Sequence, residues 1–290
     1  MPHDTYLIDY KAIDKLILSG EYKKQAISKL GFFSSPIKIH NQQGDALVLK
    51  IYKPIKNPTL MDFILENHKD YILKMRALGI LIPDTEAQVR QIASKFYLII
   101  CQKAFEPSEL VRNLLEEAPK NRFLEIMTRI FDDILLYWQN KKNEPLEIGF
   151  HPTLRNYALR DEKLYYFDTF PPMLMPQKHL NKIILKMAPL QIPMQYFVPQ
   201  HSINRVSDEY YQLDKMIIGV IGSCCRLRPE FHAAILESAR AYIAQNDQTD
   251  PSDKNKILCH TEKAPKLSKI WVFCRRLFGN VGKPNIHSKV

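Results

Sequence analysis

His151-Pro152-Thr153-Leu154-Arg155-Asn156, followed by Tyr165-Tyr166-Phe167-Asp168-Thr169-Phe170, is the stretch on which the reading of this chain turns. Between its halves lies a charged turn, Arg160-Asp161-Glu162, flanked by apolar and aromatic residues. Runs of that kind on either side of a turn predict a β-like unit over residues 147–159 and 164–167. Pro171-Pro172 ends it. The fold-back is hairpin-sized, with Asn156 before it and Asp168 just after. Each residue alone also reads as ordinary punctuation, Asn156 as a turn residue and Asp168 as a strand-end cap.

The flanks have different characters. Upstream, Phe123, Leu124, Met127, Ile130, Phe131, Ile134, Leu135 and Trp138 recur at helical spacing. Downstream the chain reads as helical and proline-punctuated to about residue 245, with Pro229 opening a helix. Before Glu106-Pro107-Ser108 the pattern changes. Short β-like runs at 31–33 and 36–39 and a turn at 41–45 lead into a strand at 46–52. Pro58 opens a helix carrying Leu60, Phe63, Ile64, Tyr71, Ile72, Met75 and Leu78, and Gly79 stops it. Residues 89–92 and 96–101 read as a second hairpin, and a polar helical segment including residues 6–18 comes first. The fold class predicted is α+β and bilobal: a small antiparallel-sheet N-lobe over 1–105, a mainly helical C-lobe over 106–245, then a linker and basic tail over 246–290.

The bulk properties suit such a fold. The chain has 290 residues, 46% hydrophobic and 25% charged, close to an ordinary globular protein. A net charge of +10 and a pI near 9.2 favour acidic partners such as nucleotides, nucleic acid or an anionic membrane. The five cysteines, Cys101, Cys224, Cys225, Cys259 and Cys274, form no CxxC pair. They predict free thiols in a reducing, cytoplasmic compartment and no zinc site. The N-terminus lacks the apolar core of a secretory signal. The apolar run at 216–221, extended to Cys225, is shorter than the roughly 20 residues that span a bilayer.

A strand lysine, a helix glutamate, and then an asparagine and an aspartate around a hairpin occur in that order in this chain. The order resembles the protein-kinase-like superfamily, and most of all its aminoglycoside phosphotransferase and choline kinase branch, over residues 30–245. The resemblance implies ATP and Mg²⁺ as cofactors, and it assigns roles. Lys50, in Leu47-Val48-Leu49-Lys50-Ile51, matches the strand lysine that meets the phosphates. Glu66 matches the helix carboxylate that pairs with it. Asn156 and Asp168 match the Mg²⁺ ligands, and both offer the hard oxygens that Mg²⁺ takes. Gly31, Ser34 and Ser35 stand where a phosphate-covering loop belongs. Lys103 lies in Cys101-Gln102-Lys103-Ala104-Phe105, the position of the hinge whose backbone would meet an adenine.

The chain departs from the family at the catalytic aspartate, whose position is taken by His151. A neutral imidazole accepts a proton, although phosphates favour its cationic form. The residues thus support two function classes: an atypical ATP-dependent phosphotransferase acting on a small-molecule or protein acceptor, and a pseudokinase that binds nucleotide as a scaffold. The tail adds a third, a membrane-associated adaptor. Lys263, Lys266, Lys269, Arg275, Arg276, Lys283 and Lys289 interleave with Leu267, Ile270, Trp271, Leu277 and Phe278. Residues 263–289 suit an anionic membrane surface, and the plainer reading of them is a helix docked on the C-lobe. No recognised module supports nucleic acid binding. A bacterial effector delivered into a host cell is one origin compatible with the resemblance and the tail.

Overall fold

The computed structural model describes residues 6, 8–27, 33–187, 207–247, 249–263 and 265. Gly31, the Ser35 side chain and the tail from residue 266 onward lie outside the described residues. The fold is α+β, with an antiparallel sheet in the N-terminal part and helices dominating the C-terminal part.

Four strands, β1 (Ser34–His40), β2 (Ala46–Tyr52), β3 (Thr85–Ile92) and β4 (Lys95–Lys103), form the sheet in the order β1-β2-β4-β3. The two-residue period of β2 sorts its side chains. Leu47, Leu49 and Ile51 join Ile99 and Cys101 of β4 against α1 (Tyr10–Ser19), which contributes Ile13 and Ile17. Lys50 and Tyr52 face the other way, alongside Leu98 and Ile100, toward the rest of the molecule. Asp9 caps α1 by accepting from the Lys11 and Ala12 amides, and Gly20 ends it.

Helix α2 (Pro58–Ala77) crosses from β2 to β3. Asn57 caps its N-terminus through the Leu60 amide at 3.0 Å, with Pro58 in the first turn. Its buried stripe is Met61, Ile64, His68, Tyr71, Ile72 and Met75. The chain leaves the helix at Gly79, with φ +94°. A methyl group added there would lie 2.7 Å from Leu136 Cδ2. Gly79→Ala is therefore expected to destabilise the fold by about 1–3 kcal/mol. The measurement is a lower urea midpoint at unchanged slope; an unchanged midpoint would mean that the turn rebuilds freely.

The C-terminal part comprises α3 (Val111–Glu117), α4 (Lys120–Lys141), a hairpin of β5 (Tyr157–Arg160) and β6 (Lys163–Tyr166), α5 (Gln177–Met187), α6 (Leu213–Leu227), α7 (His232–Gln245) and α8 (Pro251–His260). The stripe read from α4 is its buried face, including Phe123, Met127, Ile130, Phe131 and Ile134. Asp161 and Glu162 turn the hairpin with φ of 50° and 55°, the positive pair that a two-residue type I′ turn requires. Arg129 of α4 holds Glu162 at 2.8 Å. The apolar run 216–221 is a buried part of α6. Among the described residues no helix is long and apolar enough to cross a membrane.

Two local expectations are corrected. Residues 147–156 are not strand; β5 begins at Tyr157. Their backbone is met by distant partners instead: Gly149 donates to Met173 O at 2.8 Å and Phe150 to Tyr210 O at 2.7 Å. The polar stretch read as a linker contains α8, because Asp250 accepts from the Ser252 amide at 2.8 Å and Ile257 is buried. One core runs through both parts, from Tyr52, Leu98 and Ile100 of the sheet to Phe150, Tyr166 and Ile217.

Candidate functional site

Lys50 points toward the helical part because β2 places it on the sheet's inner face. Its ammonium donates to the Phe167 carbonyl at 2.8 Å, lies 4.0 Å from Asp168 Oδ1 and sits 5.4 Å from the Phe167 ring centroid. Burial lowers the Lys50 pKa, and Asp168 pulls it partly back. Burial likewise raises the Asp168 pKa, against the attraction of Lys50. The lysine side chain is 10% exposed and that of Asp168 39% exposed, so the carboxylate forms the open side of the pair.

The β5–β6 hairpin brings Asn156 to the same place. Phe167 donates to the Asn156 carbonyl at 2.9 Å, one step beyond the Tyr157–Tyr166 pair. Asp168 is the next residue. The Asn156 amide nitrogen donates to the His151 carbonyl at 2.9 Å and faces His151 Nδ1 at 3.5 Å. That leaves the amide oxygen as the open end of the side chain. Nδ1 is the His151 ring nitrogen turned toward this amide. The ring rests on Tyr210, centroid to centroid 4.5 Å. Lys50 thus meets Asp168 directly, while Asn156 meets His151 and is backbone-bonded to Phe167, the residue before Asp168.

Glu66 is not among them. Its side chain is 65% exposed and bonded to Lys69 at 2.7 Å, so the expected pairing with Lys50 is not made. The cause is helical phase. Glu66 stands two residues from both Ile64 and His68 of the buried stripe, about 200° around the helix from each. His68 takes the inward place. It is fully buried, with Nε2 2.9 Å from Thr169 Oγ1. Burial, reinforced by the nearby Lys50 charge, drives its pKa down to about 3. Its Nδ1 has no hydrogen-bond partner among the described residues. Sequence reasoning missed His68 and Thr169. The available signal was the period of the stripe, which puts His68 four residues after Ile64 and three before Tyr71.

The other expected residues lie apart from this group. Lys103 is exposed at the end of β4. Ser34 pairs in register with Tyr52. Phe170 packs on Tyr52 at 4.1 Å and on Phe33 at 5.7 Å, tying the segment after Asp168 to the sheet. In the hinge segment, Ala104 donates to Ala46 O at 2.9 Å. The Ala104 carbonyl accepts from Arg160 Nη2, also at 2.9 Å. Glu106 donates its amide to Glu109 Oε2 at 2.6 Å. The Tyr6 hydroxyl donates to the Asp84 carbonyl at 3.0 Å.

No curated protein matches this chain. Among solved structures it is similar to the amicoumacin kinase hAmiN in complex with AMP-PNP, Ca²⁺ and Ami, with a TM-score of 0.31 and 11% identity over 88% of this chain and 94% of that one. It is also similar to the MAP kinase LmaMPK10 from Leishmania major, with a TM-score of 0.32 and 10% identity over 97% of this chain and 93% of that one. Scores this low say nothing about activity. A family match spans residues 14–282, and the chain belongs to that family, DUF6206, described as a family of unknown function.

Proposed function

We propose that this protein is an atypical kinase-like phosphotransferase that binds a nucleoside triphosphate, ATP in the sequence-based reading, with Mg²⁺ in the cleft. The observation that carries the proposal is the Lys50–Asp168 pair. A buried ammonium from the sheet meets a half-exposed carboxylate that follows the hairpin, at 4.0 Å. A buried cation is costly unless paired, and a functional site is a common reason to keep one.

The donor set fits Mg²⁺. Asp168 and Asn156 both offer hard oxygens, on strand ends that the hairpin ladder brings side by side. Among the described residues no group of three or more His, Cys, Asp or Glu gathers to hold a metal. One or two protein oxygens are what Mg²⁺ takes when phosphates and water complete its shell. When bound, it would neutralise charge on the phosphates. Lys50 would hold a phosphate oxygen, its ammonium aimed by the Phe167 carbonyl instead of by a glutamate. His151 would stand near the acceptor hydroxyl. Phosphoryl transfer relies mainly on positioning and electrostatics, so the absence of a carboxylate at 151 is compatible with it.

One observation favours the scaffold reading: the helix that faces Lys50 contributes neutral His68 where an acid was expected. Turnover separates the two. The full chain is incubated with Mg²⁺ and γ-labelled ATP, and release of labelled phosphate or transfer to any acceptor is followed against Asp168→Ala. Turnover above the variant supports phosphotransfer. Mg²⁺-dependent binding without turnover leaves a pseudokinase. Neither binding nor turnover sinks both.

A further inference from the structure

Two neighbouring residues of α2 reach past the outward Glu66 and hold the chain that follows Asp168. His68 is fully buried, and its Nε2 lies 2.9 Å from Thr169 Oγ1. Thr169 is itself 1% exposed, so both ends of the contact are closed to water. Burial keeps the imidazole neutral. One position earlier, the Asn67 side-chain amide donates to the Leu174 carbonyl at 3.0 Å. Successive helical residues lie about 100° apart. His68 therefore faces the core while half-buried Asn67 stands at the edge of the same stripe.

Asp168 thus lies between two fixed neighbours. Before it, Phe167 donates its amide to the Asn156 carbonyl at 2.9 Å and accepts at its own carbonyl from Lys50 at 2.8 Å. After it stands Thr169, and then Phe170, which packs on Tyr52 of β2 at 4.1 Å. The Met173 carbonyl accepts from the Gly149 amide at 2.8 Å. The Gly149 carbonyl in turn accepts from the Tyr71 hydroxyl of α2 at 3.1 Å. The Asp168 carboxylate is 39% exposed, and Lys50 stands 4.0 Å from it, beyond hydrogen-bond length. Its direction is set by the backbone that carries it more than by the ammonium it faces.

We propose that His68 is a positioning residue for this carboxylate: through Thr169 it fixes the backbone after Asp168 and, with Asn67, couples α2 to the metal-binding side of the site. This rests on the reading of Asp168 as an Mg²⁺ ligand and deepens it. The helix that was expected to act on Lys50 through a glutamate acts on Asp168 through neutral hydrogen bonds. Partners that orient a metal ligand typically cost roughly 10–100-fold in metal affinity when removed. A hydrogen bond that merely fills the core would lower stability and leave the metal response unchanged.

Thr169→Val deletes the hydroxyl and keeps the branched shape. The full chain is titrated with ATP by calorimetry, once in saturating Mg²⁺ and once in EDTA, as wild type, Thr169→Val and Thr169→Ser. The affinity gained from Mg²⁺ is expected to fall by roughly 10–100-fold in Thr169→Val, with affinity in EDTA unchanged, and to return in Thr169→Ser. Hydrogen exchange of the unliganded proteins is expected to quicken at the amides of residues 167–170 in Thr169→Val while α4 keeps its protection. His68→Leu is the second variant, used also if Thr169→Val does not fold. It is expected to match Thr169→Val, and the double variant to be no worse than either, since one contact is shared. An unchanged Mg²⁺ gain in both variants overturns the proposal and leaves the metal reading of Asp168 intact. So does an equal loss with and without Mg²⁺, which would mark general damage to the site. No gain from Mg²⁺ in wild type removes the metal reading, and the positioning role with it.

Discussion

Lys50→Met is expected to leave the unliganded protein at least as stable as wild type and to abolish its thermal response to Mg-nucleotide. The ammonium is costly where it stands. It is 10% exposed, its pKa is lowered by burial, and its partners are one carbonyl and a carboxylate 4.0 Å away. Methionine keeps much of the stem's volume and its contact with the Phe167 ring while removing the desolvation cost. Replacing a buried charge by an apolar residue of similar volume is often neutral or stabilising. Asp168, 39% exposed, keeps its access to water. The opposite truncation differs. Asp168→Ala leaves the ammonium buried with only the carbonyl and is expected to cost about 1–3 kcal/mol. Ligand binding shows the other half. A nucleotide at 100 times its Kd adds about 2.7 kcal/mol of stability, on the order of 5 °C in Tm for a chain of this length, and both variants are expected to lose it. The order of unliganded Tm values, Lys50→Met at or above wild type and Asp168→Ala below, distinguishes a pair kept for a ligand from one kept for the fold. Were both variants equally destabilised and the ligand shift retained, Lys50 and Asp168 would be a structural pair only.

How much of the fold and site was legible in the sequence depends on where the controlling contacts lie. Local pattern was enough for β2, whose alternating face and turn-bounded ends match 46–52, and for α4, whose stripe fixes its buried side. The hairpin was legible because Asp161 and Glu162 sit between short aromatic runs. It accounts for Asn156 and Asp168 standing side by side, since the ladder continues to Phe167. Glu66 misled because chemistry was weighed before phase. The residue type suited Lys50, but only the stripe says which side of α2 a residue occupies, and there His68 is inward. The hinge was illegible for a different reason. The Ala104 amide and carbonyl are taken by Ala46 and Arg160, partners far away in sequence, and no local pattern shows that a backbone carbonyl is already occupied. Residues 147–156 misled in the same way, looking like strand while bonding to Met173 and Tyr210.

The inward histidine carries a second large effect, an acid sensitivity localised to the site. His68 is fully buried and its pKa is pushed from the ordinary 6.5 down to about 3. Between those values the unfolded chain binds a proton that the native protein refuses, so stability falls as pH falls across that window. The slope approaches about 1.4 kcal/mol per pH unit, or roughly 3 kcal/mol between pH 6.5 and 4. The whole-protein profile will not show this alone. Asp133 on α4 has its pKa raised to about 7 by burial and by Asp132, so it acts in the opposite sense and gains stability as pH falls from 7. The observable is therefore a difference. Urea midpoints of wild type and His68→Gln are measured from pH 7.5 to 4, and wild type is expected to lose stability relative to the variant progressively below pH 6.5. The contributions of Asp133 and Asp168 cancel in that difference. Parallel profiles would mean that the imidazole is protonated or hydrated in the native protein. The functional consequence comes from position. A protonated His68 would place a second cation beside Lys50 and make both ring nitrogens donors, one of them facing Thr169, the residue after Asp168. Lys50 and Asp168 would then lose the packing that holds them together, and Mg-nucleotide binding is expected to weaken over the same pH range in wild type more than in His68→Gln.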